Sequence, residues 1–186
     1  MARNKTIPDS QVLDTIFETV LETGPSNLTF AQASKACGLS PATLVQRYGT
    51  LDGLVLAVLL RAWDRLDVET HAADQEESLS PDGAIEILLR LMPAETAERD
   101  TTNGLLVLHE DIRNPELRKR GAAWGHQLAE ILGRRLSDRP EEGKKLGWQM
   151  ASIWQGAHIW WAFTRELPAD QTIREILEEW VARTIK

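Results

Sequence analysis

The chain has 186 residues, 42% of them hydrophobic and 26% charged, with a formal net charge of −7. Such a composition suits a globular protein and argues against broad, sequence-blind affinity for nucleic acid. Cys37 alone cannot form an intrachain disulfide or a thiolate metal cluster, no apolar run approaches the roughly 20 residues that span a bilayer, and "MARNKTIPDS" lacks a signal-peptide core, so a cytoplasmic protein is expected.

In chain order, the apolar period is helical almost throughout. "SQVLDTIFETVLETG" aligns Val12, Leu13, Ile16, Phe17, Val20 and Leu21 on one face and is stopped by Gly24-Pro25. "TFAQASKACG" opens on Thr29 with Gln32 three residues on, the capping-box spacing, and closes at Gly38. "SPATLVQRYG" starts from Ser40, has Pro41 at its first helical position and closes at Gly49. Two short helices about a glycine, preceded by a third, predict a helix-turn-helix over residues 1–50. Ala33, Ser34 and Cys37 are small enough for a close crossing, with Phe30, Leu39, Leu44 and Tyr48 filling the core, and Cys37 reads as a small buried hydrophobe.

A long helix over residues 51–73 follows, through Leu54, Val55, Val58, Leu59, Ala62, Trp63 and Leu66, fading in "ETHAADQEESLS". "SPDGAIEILLRLMP" is capped by Ser80 and stopped by Pro93, "NGLLVLHEDIRN" gives a helix from Asn103, and Asn114-Pro115 opens the next. "EEGKKLGWQMASIWQGAHIWWAFTREL" and "DQTIREILEEWVARTI" end the chain. No stretch alternates like a strand and no repeat is present. The expected fold is all-α, with about nine helices: a helix-turn-helix domain over 1–50, joined through the long helix to a helical domain over 51–186.

Charge is unevenly placed. Residues 1–50 hold Arg3, Lys5, Lys35 and Arg47 against Asp9, Asp14, Glu18 and Glu22, and after Glu22 no acid occurs until Asp52. The third helix would leave Pro41, Ala42, Thr43, Val45, Gln46 and Arg47 outward within that acid-free window. Gln46 suits adenine, Arg47 guanine or a phosphate, and Thr43 and Ala42 a thymine methyl. Thr29, Ser40 and Thr50 stand at helix N-termini, which favour phosphate, and Arg3 and Lys5 can reach the neighbouring backbone or minor groove. Lys35 and Tyr48 complete the candidate DNA-binding set.

The run "LTFAQASKACGLSPATLVQRYGTLDGLVLAVL" resembles the TetR-type bacterial transcriptional regulators: a threonine opening the second helix, the glycine turn, Ser-x-x-Thr-Leu, an aromatic-Gly pair and a long amphipathic helix, without a gap. "HEDIRNPELRKR" is similar to the family's sixth-to-seventh helix junction, at the level of fold only. The resemblance implies a homodimeric regulator, most often a repressor, that leaves a near-palindromic operator when a small molecule enters its C-terminal domain. Three positions depart from it. Val45 stands where a tyrosine is usual, Arg47 where a second aromatic or histidine is usual, and Leu51 where a lysine is usual, so the phosphate contacts of those residues are reduced.

The C-terminal half holds six of the seven tryptophans. From Leu146 to Leu167 the pattern is apolar nearly all round, which requires cover on more than one side. Pairing with a second copy meets that need. Ile153, Ala157, Trp160, Trp161, Ile173, Ile176, Leu177, Trp180 and Val181 are the candidate interface, and Gly147, Ala151 and Gly156 would permit close approach. The remaining interior would take a largely apolar or aromatic effector among Trp63, Leu66, Leu88, Met92, Leu105, Leu108, His109, Ile112, Trp124, Leu128, Trp148, Met150, Trp154 and His158. The same residues also read simply as core. His109, Glu110 and Asp111 diverge around a helix and cannot share a metal. No nucleophile motif or phosphate loop is present, so neither an enzyme nor a cofactor is expected. The other reading left open is a helical dimer that binds small molecules or proteins and has weakened DNA binding; an enzyme built in the tryptophan-lined interior is the remoter third.

Overall fold

Local chemistry sets the helix ends. The computed structural model describes residues 7–92 and 94–185, apart from the side chains of 94–102. Among these the elements are α1 (Asp9–Thr23), a 3-10 turn (Pro25–Asn27), α2 (Phe30–Cys37), α3 (Pro41–Tyr48), α4 (Leu51–Glu76), α5 (Pro81–Leu91), α6 (Ala94–Arg113), α7 (Pro115–Leu136), α8 (Pro140–Thr164) and α9 (Ala169–Thr184). The Thr29 hydroxyl accepts from the Gln32 amide while Gln32 Oε1 accepts from the Thr29 amide, closing a capping box. The Ser40 and Ser80 hydroxyls cap α3 and α5 by accepting from the Thr43 and Gly83 amides, each with proline next in the chain. Gly38 ends α2 in the left-handed region, at φ 73°, which a side chain would oppose. The start of α6 departs from the sequence pattern. It begins at Ala94 rather than Asn103, because "AETAERDTT" favours helix but has no apolar period to mark it.

The chain forms two compact units: Met1–Arg65 with Thr102–Arg120, and Leu66–Thr101 with Gly121–Lys186. The first is centred on Val12, Ile16 and Val20 of α1, Ala33 of α2, Leu44 of α3, Leu54, Val58 and Leu59 of α4, and Leu117 of α7. Polar contacts fix its helices in register. Asn103 donates to the Leu21 and Glu22 carbonyls at the end of α1, at 2.8 and 3.1 Å, and Arg61 grips Asp14 with two bonds of 2.9 and 3.0 Å. Cys37 packs half-buried against this core.

In the second unit α7 and α8 cross with their backbones almost touching. A Cβ on Gly147 would lie 2.0 Å from the Ala129 carbonyl oxygen, and one on Gly133 would lie 2.5 Å from the backbone of Gly143. Gly147 therefore serves packing within the chain rather than approach of a second copy, and Ala151 is buried in the same core. Gly156, by contrast, faces open space. The fully buried Arg135 side chain donates to the Asp74, Glu77 and Ser78 carbonyls at the end of α4 and to the Asp74 carboxylate at 2.7 Å. Burial opposes ionisation of Asp74, yet Arg135 and Arg134 hold its carboxyl below the usual range.

Gly147→Ala should cost about 1–3 kcal/mol or more in urea unfolding, because the helix backbones must separate. Gly104→Ala, with nothing within 4 Å of its new methyl, should stabilise by about 0.5–1 kcal/mol. Equal effects at the two sites would contradict the close crossing.

Candidate nucleic-acid interface and effector site

Leu44 is the fully buried residue of α3, and it determines what the helix shows to solvent. Pro41, Ala42, Val45 and Gln46 are exposed, as are Thr29, Lys35, Ser40 and Thr50 around them. Thr43 is half-buried, its hydroxyl 2.8 Å from that of Ser40. The hydroxyls of Thr29, Ser40 and Thr50 are already engaged in capping α2, α3 and α4. Arg3 and Lys5 lie outside the described residues.

Arg47 does not project freely from the exposed face. Its Nη1 donates to Asp9 Oδ1 at 2.9 Å and to the Ile7 carbonyl at 3.3 Å. The Tyr48 hydroxyl donates to the same Asp9 oxygen at 3.1 Å, and burial together with the Asp9 carboxylate pushes the phenol up to about 12. Sequence reasoning missed Asp9. It lies 38 positions from Arg47, and only the fold joins them.

The fourteen candidate effector residues divide between the two units. In the first unit Leu105 and Ile112 are exposed and the His109 side chain is 68% exposed, so these three face solvent rather than an interior. The turn of α6 explains this. Asn103 bonded to the end of α1, Val107 in the core and Asp111 bonded to Trp63 select a face that leaves Leu105, His109 and Ile112 outside. Leu108 is half-buried. Trp63 Nε1 donates to Asp111 at 3.0 Å, and burial, reinforced by Glu110, raises the Asp111 carboxyl to about 6 although the indole bond favours its charge.

In the second unit Leu88, Leu128 and Met150 are fully buried, and Leu66 and Met92 are half-buried. Trp124 Nε1 donates to the buried Thr70 hydroxyl at 3.0 Å. The Trp148 ring lies outward across Gly125 and edge-on to His126, so it is a surface residue. Trp154 and His158 stack edge to face, both more than nine-tenths buried. His158 Nδ1 bonds the Trp154 carbonyl at 2.9 Å, and burial lowers the imidazole pKa against that bond. With the Nδ1 proton assigned to this bond, Nε2 is an acceptor and Trp154 Nε1 a donor, and neither has a partner among the described residues.

Of the candidate interface, Ala157, Trp161, Ile173 and Leu177 are buried within this unit, where α8 and α9 pack on one another, which corrects their assignment to a face open to a partner. Trp161 Nε1 donates to the Leu167 carbonyl at 2.9 Å. Ile176 remains exposed and Trp160 is 71% exposed. Ile153, Trp180 and Val181 are half-buried, and the first two line an open groove of about 830 Å³. Phe163, 78% exposed with its ring tilted 5.8 Å from that of Trp160, is a further exposed apolar residue of α8 that was missed. No group of His, Cys, Asp or Glu among the described residues is arranged to hold a metal, and no single helix is long and apolar enough to cross a membrane.

No protein-family model matches the sequence, and no curated protein matches it significantly. Solved structures do match. A TetR transcription regulator of Haloarcula marismortui superposes with a TM-score of 0.71 at 18% identity, over 95% of this chain and 97% of its own. A TetR transcriptional regulator of Legionella pneumophila gives 0.69 at 16% identity, over 99% and 100%. The chain has the TetR-type fold. A third neighbour, named as a transcriptional regulator of Saccharomonospora viridis and solved with choline, gives 0.73 at 16% identity, over 94% and 95%. The likeness extends over nearly the whole chain, including the C-terminal helices where the sequence resemblance was weakest.

Within this fold, Asp111 makes stability depend on pH. Its carboxyl binds a proton more tightly when folded than when unfolded, so the penalty is complete above about pH 6 and disappears towards pH 4. Asp111→Asn, which keeps an acceptor for Trp63, should raise unfolding free energy at pH 8 by about 1–2 kcal/mol after solvent screening, a gain fading as pH falls. A gain independent of pH would contradict this.

Proposed function

We propose that the protein is a DNA-binding transcriptional regulator, a homodimeric repressor released from a near-palindromic operator by a small effector. One observation carries the reading: α3 is an amphipathic helix anchored by Leu44, and its outward face presents Pro41, Ala42, Val45 and Gln46 with no acid on α2 or α3. A helix so held offers its N-terminal residues to base edges in the major groove. The acid-free surface keeps a local site compatible with an acidic chain. The 1–50 and 51–186 division is the functional one on this reading: a reading head, and a body that pairs and senses.

Pairing through Trp160, Phe163 and Ile176 would cover apolar surface that a lone copy leaves in water, and it would set two reading heads about one helical turn apart. Trp154 and His158 supply the polar handles for an effector that is otherwise apolar or aromatic, and a fold neighbour that holds choline supports a ligand-responsive body. Effector binding then favours one of two head separations.

Titration of the DNA upstream of its own coding sequence tests the proposal. Binding should weaken steeply with added salt, and Gln46→Ala should cost about 1–3 kcal/mol on that DNA but little on a mixed-sequence duplex. No salt-sensitive binding at low ionic strength would sink it. Val45 and Leu51, which replace usual phosphate contacts, would then favour a dimeric small-molecule or protein-interaction module.

A further inference from the structure

We propose that Asp9 is a built-in phosphate surrogate: it occupies the Arg47 guanidinium in the DNA-free protein and so sets the affinity of the reading head for the duplex backbone. The inference rests on the DNA-binding reading above. Lys35 and Arg47 are the cations of α2 and α3, so withholding Arg47 removes half of their positive charge. Arg47 leaves α3 in its last turn, away from the N-terminal end that meets base edges, and its target is therefore a phosphate.

The geometry is that of a latch open to competition. Arg47 Nη1 makes both of its bonds to the start of α1, one to the Asp9 carboxylate and one to the Ile7 carbonyl. Tyr48 donates to the same carboxylate oxygen and fixes its position. The Arg47 side chain is only 22% exposed, whereas Asp9 is 67% exposed, so the pair sits at the surface where water weakens it. A duplex phosphate offers the guanidinium the same oxygen chemistry within a much denser field of negative charge and can displace Asp9. Asp9 also lies in the first turn of α1, where an acid favours the helix dipole. That role alone would affect folding and leave duplex affinity untouched.

Binding of the full-length protein is measured against salt for wild type, Asp9→Asn, Arg47→Ala and the double variant. The probes are the duplex upstream of its own coding sequence and a mixed-sequence duplex of equal length. Asp9→Asn should tighten binding roughly 3- to 10-fold at low ionic strength on both duplexes alike, with little change of the log–log salt slope because the phosphate contact forms in both proteins. Arg47→Ala, by contrast, should flatten that slope by about 0.9, one phosphate contact. The gain should vanish in the Arg47→Ala background. Wild-type binding with no gain in Asp9→Asn, a weakening that shows Asp9 orients Arg47 for DNA, or a gain surviving without Arg47 would overturn the latch while leaving the regulator reading intact. Absence of binding by every variant to both duplexes would remove the regulator reading and the latch with it. Thermal melting of the same variants separates loss of folding from all of these outcomes.

Discussion

The burial of Leu44 is the constraint on which the helix-turn-helix depends. Eight residues are too few for a stable isolated helix, so α3 persists only because this side chain is fully enclosed by α1, α2 and α4 and because Ser40 satisfies its first turn. Once Leu44 points inward, the helical period leaves no choice about Ala42, Val45 and Gln46, which must point outward. The outward face of α3 is thus a consequence of packing, and its rigidity comes from the core beneath it.

A different device holds the second unit. There α7 and α8 approach until only glycine fits at positions 133, 143 and 147, and Arg135 closes the end of α4 from a fully buried position. Close backbone contact and a buried, fully bonded guanidinium both demand exact geometry and tolerate little change. Against that tightly satisfied background, the donor of Trp154 and the acceptor of His158, unpaired among the described residues, stand out, since buried polar groups left without partners carry an energetic cost. On the proposed regulator reading, an effector that bonds both would relieve that cost.

Local chemistry was legible in the sequence. Caps at Thr29, Ser40, Ser80 and Asn114 stood three residues or fewer from the amides they accept from, and the structure forms every one of them. Helix identity followed from apolar period, except at the start of α6, where the residues are helix-forming but polar. What periodicity could not supply was the choice among faces of an apolar helix. In α6 the inward face was decided by Asn103 and Asp111, polar side chains that find partners 82 and 48 positions away, and so Leu105, His109 and Ile112 were placed on the wrong side. In α8 almost every position is apolar, and only the packed structure separates Ala157 and Trp161 from Trp160 and Phe163. The Asp9–Arg47 pair is of the same kind, a contact between elements with no local trace in the sequence.

Chemical-shift mapping of the uniformly ¹⁵N-labelled protein, titrated with the duplex upstream of its own coding sequence, tests the central claim most directly. The largest changes should fall at the amides of Ser40 and of residues 42–47, with smaller ones at Thr29 and Thr50. Unchanged signals on α3, or shifts gathered on α8 and α9 instead, would show that the outward face of this helix is not a DNA-reading surface.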